Sequence, residues 1–268
     1  MKANIMNQKK QNLYYDAIYS VYPDATDIHT PRLSGSLNNV LMANTGSGER
    51  VFKFSDEDLV IKNAKVSYLY NRYQIPAPRI IPQDYKKLYF EDYEKISGIT
   101  LYEAIKDGIG ADQVKSVYRQ VVDLLYKMEK VQPEMLKNGN MHAAHTIAAK
   151  HTIKTHGLLI GQLVWMAVYL ANNNGRDKFN KGIYHFDLSP KNILISNDGK
   201  LKALLDMDSV GICSLSFAFG MLAARYQQYG MDITDLFKYY NTLSADGLDY
   251  DAIKRIAKIR SLLFQRHK

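Results

Sequence analysis

Tyr184-His185-Phe186-Asp187-Leu188-Ser189-Pro190-Lys191-Asn192-Ile193-Leu194-Ile195, followed by Leu204-Leu205-Asp206-Met207-Asp208, is the stretch that decides the fold. It runs His-x-Asp, four residues, Asn, an apolar run, a turn, a second apolar run and an Asp. The runs at 192–196 and 201–205 read as strands, and Asn197-Asp198-Gly199 between them is a strong hairpin signal. The hairpin would carry Asn192 at one end and Asp206 at the other, so that both reach one metal. Phosphoryl transfer to a hydroxyl needs little covalent chemistry. It needs the acceptor oxygen held in line and the polyphosphate charge neutralised. Asp187 is the candidate base. Asn192 and Asp206 offer the oxygen ligands that a hard cation such as Mg²⁺ prefers.

The spacing resembles the kinase catalytic loop, His-Arg-Asp-x-x-x-x-Asn, with Asp206 where the kinase Asp-Phe-Gly aspartate falls. The match is closer to small-molecule kinases. His185 to Leu194, with Leu205-Asp206-Met207-Asp208, resembles the aminoglycoside phosphotransferase and choline kinase superfamily. No Phe-Gly and no Ala-Pro-Glu follow Asp206, and only 62 residues remain after it. The resemblance implies an α+β, bilobal, protein-kinase-like fold. Residues 1–93 would form a small N-lobe with an antiparallel sheet, and residues 94–268 a larger, mostly helical C-lobe holding the catalytic loop and the acceptor pocket. It also implies ATP and Mg²⁺ as cofactors and a small-molecule acceptor. In this frame His185 joins Asp187 as a catalytic candidate, orienting the loop through a hydrogen bond rather than shuttling a proton. Lys191 is read as reaching phosphate or water. Asp208 either binds a second Mg²⁺ or caps the helix expected at 212–229.

Upstream, Leu33 to Met42 reads as strand, small-residue turn and strand, and Arg50-Val51-Phe52-Lys53-Phe54 as a further strand after a turn at Gly46 to Gly48. Backbone N–H groups at Ser34, Gly35 and Ser36 can approach phosphate oxygens, and Asn38 and Asn39 add side-chain donors. The resemblance makes Lys53 the lysine that pairs with the α- and β-phosphates. Residues 56–73 read as a helix, with Leu59, Val60, Asn63, Val66, Leu69 and Tyr70 near one stripe, and Ile75-Pro76-Ala77-Pro78 follows as in the family. There the family carries a Glu paired to the strand lysine. Here that place holds Lys62 or Asn63, so either Glu57 or Asp58 serves from one turn earlier or the pair is absent. The link between lobes is expected at 91–94, where backbone groups of residues such as Glu91 and Tyr93 would meet adenine.

The remaining segments read as packing helices. Residues 9–22 place Leu13, Ala17, Ile18 and Val21 at helical spacing. Asp112 is placed to cap a helix that buries Val114, Val117, Val121, Leu125 and Met128. His142, His145, His151 and His156 cluster without the Cys or spaced acids of a zinc site, and suit polar helix faces or acceptor contacts. Residues 157–171 read as a buried helix with Trp165 and Met166 in the core. Residues 233–243 and 250–264 give two more helices, the last with Ile253, Ile256, Ala257 and Leu263 inward.

The net charge of +8 asks for an anionic partner. ATP meets that demand, and without a Lys/Arg tract or a nucleic-acid motif no nucleic acid is expected. The basic excess is larger in residues 97–268, 22 against 16 acidic, which argues against a polycationic aminoglycoside as acceptor. The single cysteine, Cys213, excludes an internal disulfide and reads as a small buried hydrophobe. The start Met1-Lys2-Ala3-Asn4 has no apolar signal core, and the apolar run at 157–171 is too short to span a bilayer. A cytoplasmic protein without membrane attachment is therefore expected. Sugars, amino alcohols, nucleoside-like compounds and antibiotics remain as acceptors. The alternatives are a protein kinase, and a nucleotide-binding scaffold without turnover, which rests on the missing helix Glu.

Overall fold

A computed structural model describes residues 8–31, 39–131, 181–245 and 247–264, together with the isolated helical positions Thr146, Gln162, Met166, Ala167, Tyr169 and Leu170. The chain divides into two compact units, one of Met1–Tyr68 with Pro78–Ile96, the other of Leu69–Ala77 with Ser97–Lys268. Among the described residues no helix is long and apolar enough to cross a membrane.

The first unit is built on a five-stranded antiparallel sheet. Its strands are β1 (Thr26–His29), β2 (Val40–Thr45), β3 (Gly48–Ser55), β4 (Ile81–Tyr85) and β5 (Leu88–Glu94), in the spatial order β1-β2-β3-β5-β4. The turn expected at Gly46 to Gly48 joins β2 to β3, and the ladder closes at Thr45 opposite Gly48. Helix α1 (Gln8–Val21) lies on one face of the sheet. Its inward residues are Tyr14, Ala17 and Ile18, packed with Leu41, Ala43, Phe52, Phe54 and Phe90. The Tyr14 ring stacks on Phe54 with centroids 3.8 Å apart. Leu13, expected inward, is exposed. The aromatic ring one position along covers more apolar surface and takes its place.

Strand pairing sorts the β3 and β5 side chains onto two faces, because directly opposed residues in an antiparallel ladder share a face. Phe52 stands opposite Asp92 and Phe54 opposite Phe90, on the α1 side. Val51 stands opposite Tyr93 and Lys53 opposite Glu91, on the other side. Helix α2 (Glu57–Arg72) covers that second face, burying Val60, Asn63 and Val66. Glu91 and Tyr93 thus lie inside β5, not in a connection. This corrects the linker expected at 91–94: the alternation through Phe90, Glu91 and Asp92 keeps the chain in the ladder to Glu94.

In the second unit, α3 (Leu101–Lys106) starts at Thr100 with a reciprocal cap. The Glu103 N–H donates to Thr100 Oγ1 at 3.1 Å, and Thr100 N–H donates to Glu103 Oε2 at 2.8 Å. Helix α4 (Ala111–Met128) buries all five residues expected of it, Val114, Val117, Val121, Leu125 and Met128. Its N-cap is Gly110 rather than Asp112. Asp112 falls in the first turn, where its charge still opposes the helix dipole.

Strands β7 (Lys181–His185) and β10 (Val210–Ser214) pair with each other, while β6 (Ile99–Thr100), β8 (Ile193–Ile195) and β9 (Leu201–Leu204) form a second small sheet. Three helices follow: α5 (Leu215–Gln227), α6 (Thr234–Leu243) and α7 (Tyr250–Phe264). Residues 210–214, expected to be helical in part, are strand β10 instead. Ser214 Oγ caps α5 by accepting from Phe217 N–H at 3.2 Å. Asp208 is therefore not that helix's cap. Cys213 is fully buried, as a small core residue. The four clustered histidines and Trp165 lie outside the described residues.

Candidate functional site

Two polar clusters hold the candidate residues, one in each unit. In the first unit Lys53 is 5% exposed and Glu91 2% exposed, and they are direct cross-strand neighbours on β3 and β5. Burying charges without partners is costly, so the opposed pair is a built feature of the ladder. Asn63 of α2, fully buried, donates its amide Nδ2 to Glu91 Oε1 at 2.5 Å. The acid facing Lys53 thus comes from the neighbouring strand. The helix position where the resemblance implied a Glu supplies a donor that orients it. Glu57 and Asp58, the alternatives, are exposed in the first turn of α2. The Glu57 carboxylate meets the Tyr89 hydroxyl instead, and so raises that hydroxyl's pKa.

On the other face of the same ladder lies an ion pair that the sequence does not reveal. Arg50 donates from Nε and Nη2 to Asp92 Oδ1 at 2.9 and 2.6 Å, and Tyr22 donates to Asp92 Oδ2 at 2.8 Å. This cluster is buried and fully hydrogen-bonded at the carboxylate, which marks it as structural. Asn39 proves structural too. Its Nδ2 donates to Phe54 O at 2.7 Å while its own carbonyl accepts from Phe54 N–H at 2.8 Å. It extends the β2–β3 ladder by a rung and so does not present its donor to phosphate. Ser34, Gly35, Ser36 and Asn38 lie outside the described residues.

In the second unit the expected hairpin forms, with Ile193 opposite Leu204 and Leu194 opposite Ala203. Gly199 adopts φ +76°, the left-handed conformation the turn requires and glycine accepts without strain. Helix α4 clamps the turn. Gln120 donates from Nε2 to Gly199 O at 3.1 Å and accepts at Oε1 from Leu201 N–H at 2.9 Å. The edge strand is extended by Leu204 N–H donating to Pro76 O at 2.8 Å. At the open end Leu205 N–H donates to Asn192 O at 2.8 Å. That bond brings the Asn192 and Asp206 positions side by side, as the sequence implied.

The loop is then fixed from below. His185 is fully buried, and its Nε2 lies 2.8 Å from Leu205 O. A carbonyl only accepts, so Nε2 carries a proton and donates it. His185 therefore ties the Asp187 loop to the residue before Asp206. It positions both acids, and with its ring buried it is not poised to touch reacting atoms. Phe186 N–H donates to Ser209 O at 3.1 Å, and Asn192 N–H to Ser189 O at 2.8 Å across the turn begun by Pro190. Asn192 Nδ2 donates to Asp187 O at 2.9 Å and to Asp187 Oδ2 at 3.2 Å. The amide nitrogen is thus engaged with the candidate base, and the amide oxygen is the atom with metal-ligand chemistry.

Asp206 has φ +61° and ψ +67°. A non-glycine residue in this region costs of order 1–3 kcal/mol and persists only where its surroundings impose it. Here the hairpin bond before it and the short 3₁₀ turn Met207–Ser209 after it do so. Asp208 lies in that turn. Among the described residues no group of three or more His, Cys, Asp or Glu gathers as a metal site, so Asp206 and Asp208 do not join Asp187 in an all-acid cluster. Oxygen donors from one amide and one carboxylate remain as the set that suits Mg²⁺ with water and phosphate. Lys191 is exposed, its ammonium 5.1 Å from the centre of the Tyr102 ring.

Two arginines meet the candidate base, Asp187. Arg225 Nη2 donates to Asp187 Oδ1 at 3.2 Å, and Arg260 Nη2 lies 3.9 Å from the same oxygen. Neither was singled out from the sequence, yet each left a signal. Arg225 is the lone charged residue in 212–229. Arg260 follows Ile253, Ile256 and Ala257 at seven, four and three residues, which is the apolar stripe of α7.

A family model described as APH, phosphotransferase enzyme family, matches residues 29–246. No curated protein matches the sequence. Among solved structures, an aminoglycoside-3'-phosphotransferase of type VIII is similar at 14% identity and TM-score 0.66, over 93% of this chain and 98% of that one. The aminoglycoside phosphotransferase APH(3'')-Id from Streptomyces rimosus, in complex with ADP and streptomycin, is similar at 14% identity and TM-score 0.64, over 95% and 99%. The choline kinase LicA from Streptococcus pneumoniae is similar at 14% identity and TM-score 0.60, over 96% and 89%. At this identity the likeness establishes the fold, which is α+β and protein-kinase-like.

Proposed function

Because the chain belongs to the phosphotransferase enzyme family, we propose that it transfers the γ-phosphoryl group of ATP to a hydroxyl of a small molecule, in the manner of the aminoglycoside phosphotransferase and choline kinase superfamily. The observation that carries this reading is the hairpin that sets Asn192 and Asp206 side by side while Asn192 also holds Asp187. The acceptor hydroxyl approaches Asp187, which accepts its hydrogen bond and orients its lone pair. The acceptor oxygen forms a new bond to the γ-phosphorus as the bond to the bridging oxygen breaks. ADP leaves, and the proton passes to Asp187.

Asn192 Oδ1 and the Asp206 carboxylate are the atoms that would hold Mg²⁺. Magnesium, when bound, neutralises charge on the phosphates. Lys53, oriented by Glu91, binds the α- and β-phosphates, and the 34–39 segment contributes backbone donors. Residues 1–93 serve as the nucleotide-covering lobe and 94–268 as the acceptor lobe.

A nucleotide-binding scaffold is the second reading. It is favoured by Asn63 standing where the resemblance implies an acid. An ATP-consumption screen across pools of hydroxylated acceptors separates the two. ADP release that depends on an acceptor supports the enzyme. Nucleotide binding without release under any acceptor, in protein whose folding is verified, supports the scaffold.

A further inference from the structure

Helices α5 and α7 approach closely where α5 has a glycine. A Cβ at Gly220 would lie 2.5 Å from Ile256 Cγ2, so a larger residue would force the helices apart. This approach lets Arg225 from one helix and Arg260 from the other converge on a single oxygen, Asp187 Oδ1. Arg260 is 5% exposed, and the Arg225 side chain 27% exposed. Burial and the neighbouring Arg225 charge hold the Arg260 guanidinium down to about 10, against the pull of Asp187. Arg225 Nε is buried with no hydrogen-bond partner among the described residues, and so is the hydroxyl of fully buried Tyr118. Tyr118 is near enough to both arginines for their charges to act on it, although burial dominates and drives its pKa upward.

One guanidinium would suffice to hold Asp187 in place. Two of like sign at the same carboxylate give a positive environment where the acceptor must dock, and the partly exposed Arg225 guanidinium is the one that a ligand reaches. A cationic amino alcohol or aminoglycoside placed against Asp187 would meet repulsion from both. Resting on the phosphotransferase reading above, we infer that the acceptor carries an anionic group, a carboxylate or a phosphate, beside the hydroxyl that is phosphorylated, and that Arg225 receives it with Arg260 behind. Arginine suits this role because its fork matches both anions bidentately.

The test is binding of matched pairs to ADP-loaded protein by calorimetry. Glycerate is set against glycerol, ribose 5-phosphate against ribose, and choline and kanamycin serve as cations. At least one anionic member should bind roughly tenfold or more tighter than its uncharged counterpart. The glycerate and ribose 5-phosphate arms separate a carboxylate reader from a phosphate reader. Arg225→Met should erase that preference and leave ADP affinity within about twofold, while Arg225→Lys should retain part of it. If no anion outbinds its counterpart, if the cations bind as well, or if Arg225→Met leaves the preference intact, the inference is wrong. ADP release in the same samples keeps the two claims apart. Release with neutral or cationic acceptors alone overturns the anion site and spares phosphoryl transfer. Anion binding without release from any acceptor does the reverse.

Discussion

The hairpin of the second unit and the β3–β5 ladder of the first make the same kind of object, a charged group fixed by its neighbours, by opposite routes. In the hairpin, Asp187, Asn192 and Asp206 fall within 20 residues, and short-range bonds place them. Asn192 to Asp187, Leu205 to Asn192 and His185 to Leu205 form one local circuit. In the ladder, Lys53 meets Glu91 from 38 residues away, and only the register of two strands decides that Glu91, rather than Asp92, shares its face. A slip of one residue would exchange the two acids. Local spacing therefore specifies the first cluster, and long-range pairing the second.

The sharpest way to break this contrast is at the hairpin. Asp206→Asn removes the carboxylate proposed for Mg²⁺ and should lower ATP turnover roughly a thousandfold, a loss typical of removing a major electrostatic stabiliser. Raised Mg²⁺ should not restore the rate, as a titration of initial rates would show.

Next come the two faces of the ladder. Lys53→Met should lower kcat/KM for ATP by roughly a hundredfold, and it also costs stability because Glu91 is left buried without its cation. Arg50→Met, one face over, should cost stability while leaving the rate intact. It leaves Asp92 buried without its guanidinium and should cost about 3–5 kcal/mol in urea unfolding, with ATP affinity kept at low temperature. Equal effects of both variants on rate would remove the distinction between a functional and a structural face.

A smaller effect tests the pairing itself. Glu91→Gln should cost roughly tenfold in kcat/KM for ATP and add almost nothing to Lys53→Met, because the two act as one unit. Glu57→Gln should stay within about twofold. Additive losses at 53 and 91 would show that Glu91 does not act through Lys53. Smallest is Gln120→Ala, which removes both bonds to the hairpin turn. It should lower stability by about 1–2 kcal/mol, with kcat changed less than about threefold.

What was legible in the sequence follows the same division. The hairpin, its turn at Gly199 and the core stripe of α4 depend on near neighbours and were read directly. The resemblance implies the acid opposite Lys53 on α2, because no periodicity reveals which strand pairs with which. Asn63 falls on the α2 stripe, yet its contact with Glu91 needs the folded sheet. Errors at Leu13, Asp112 and residues 212–214 have local causes. A bulkier neighbour won the core at Tyr14, Gly110 caps α4 two positions before Asp112, and strand β10 uses apolar residues that equally suit a helix. The arginines at Asp187 leave only the faint signal of a charge on an apolar stripe, and which carboxylate they meet is decided by the packing of α5 on α7.

The central claim is that Asp187 serves the acceptor while the nucleotide is held elsewhere. Asp187→Asn measured for acceptor-dependent ADP release and for ADP affinity in the same preparation tests it most directly. A loss of release of at least roughly a hundredfold, with ADP affinity within about twofold of the parent, is the predicted result. Release at the parent rate, or loss of nucleotide binding together with release, would contradict it.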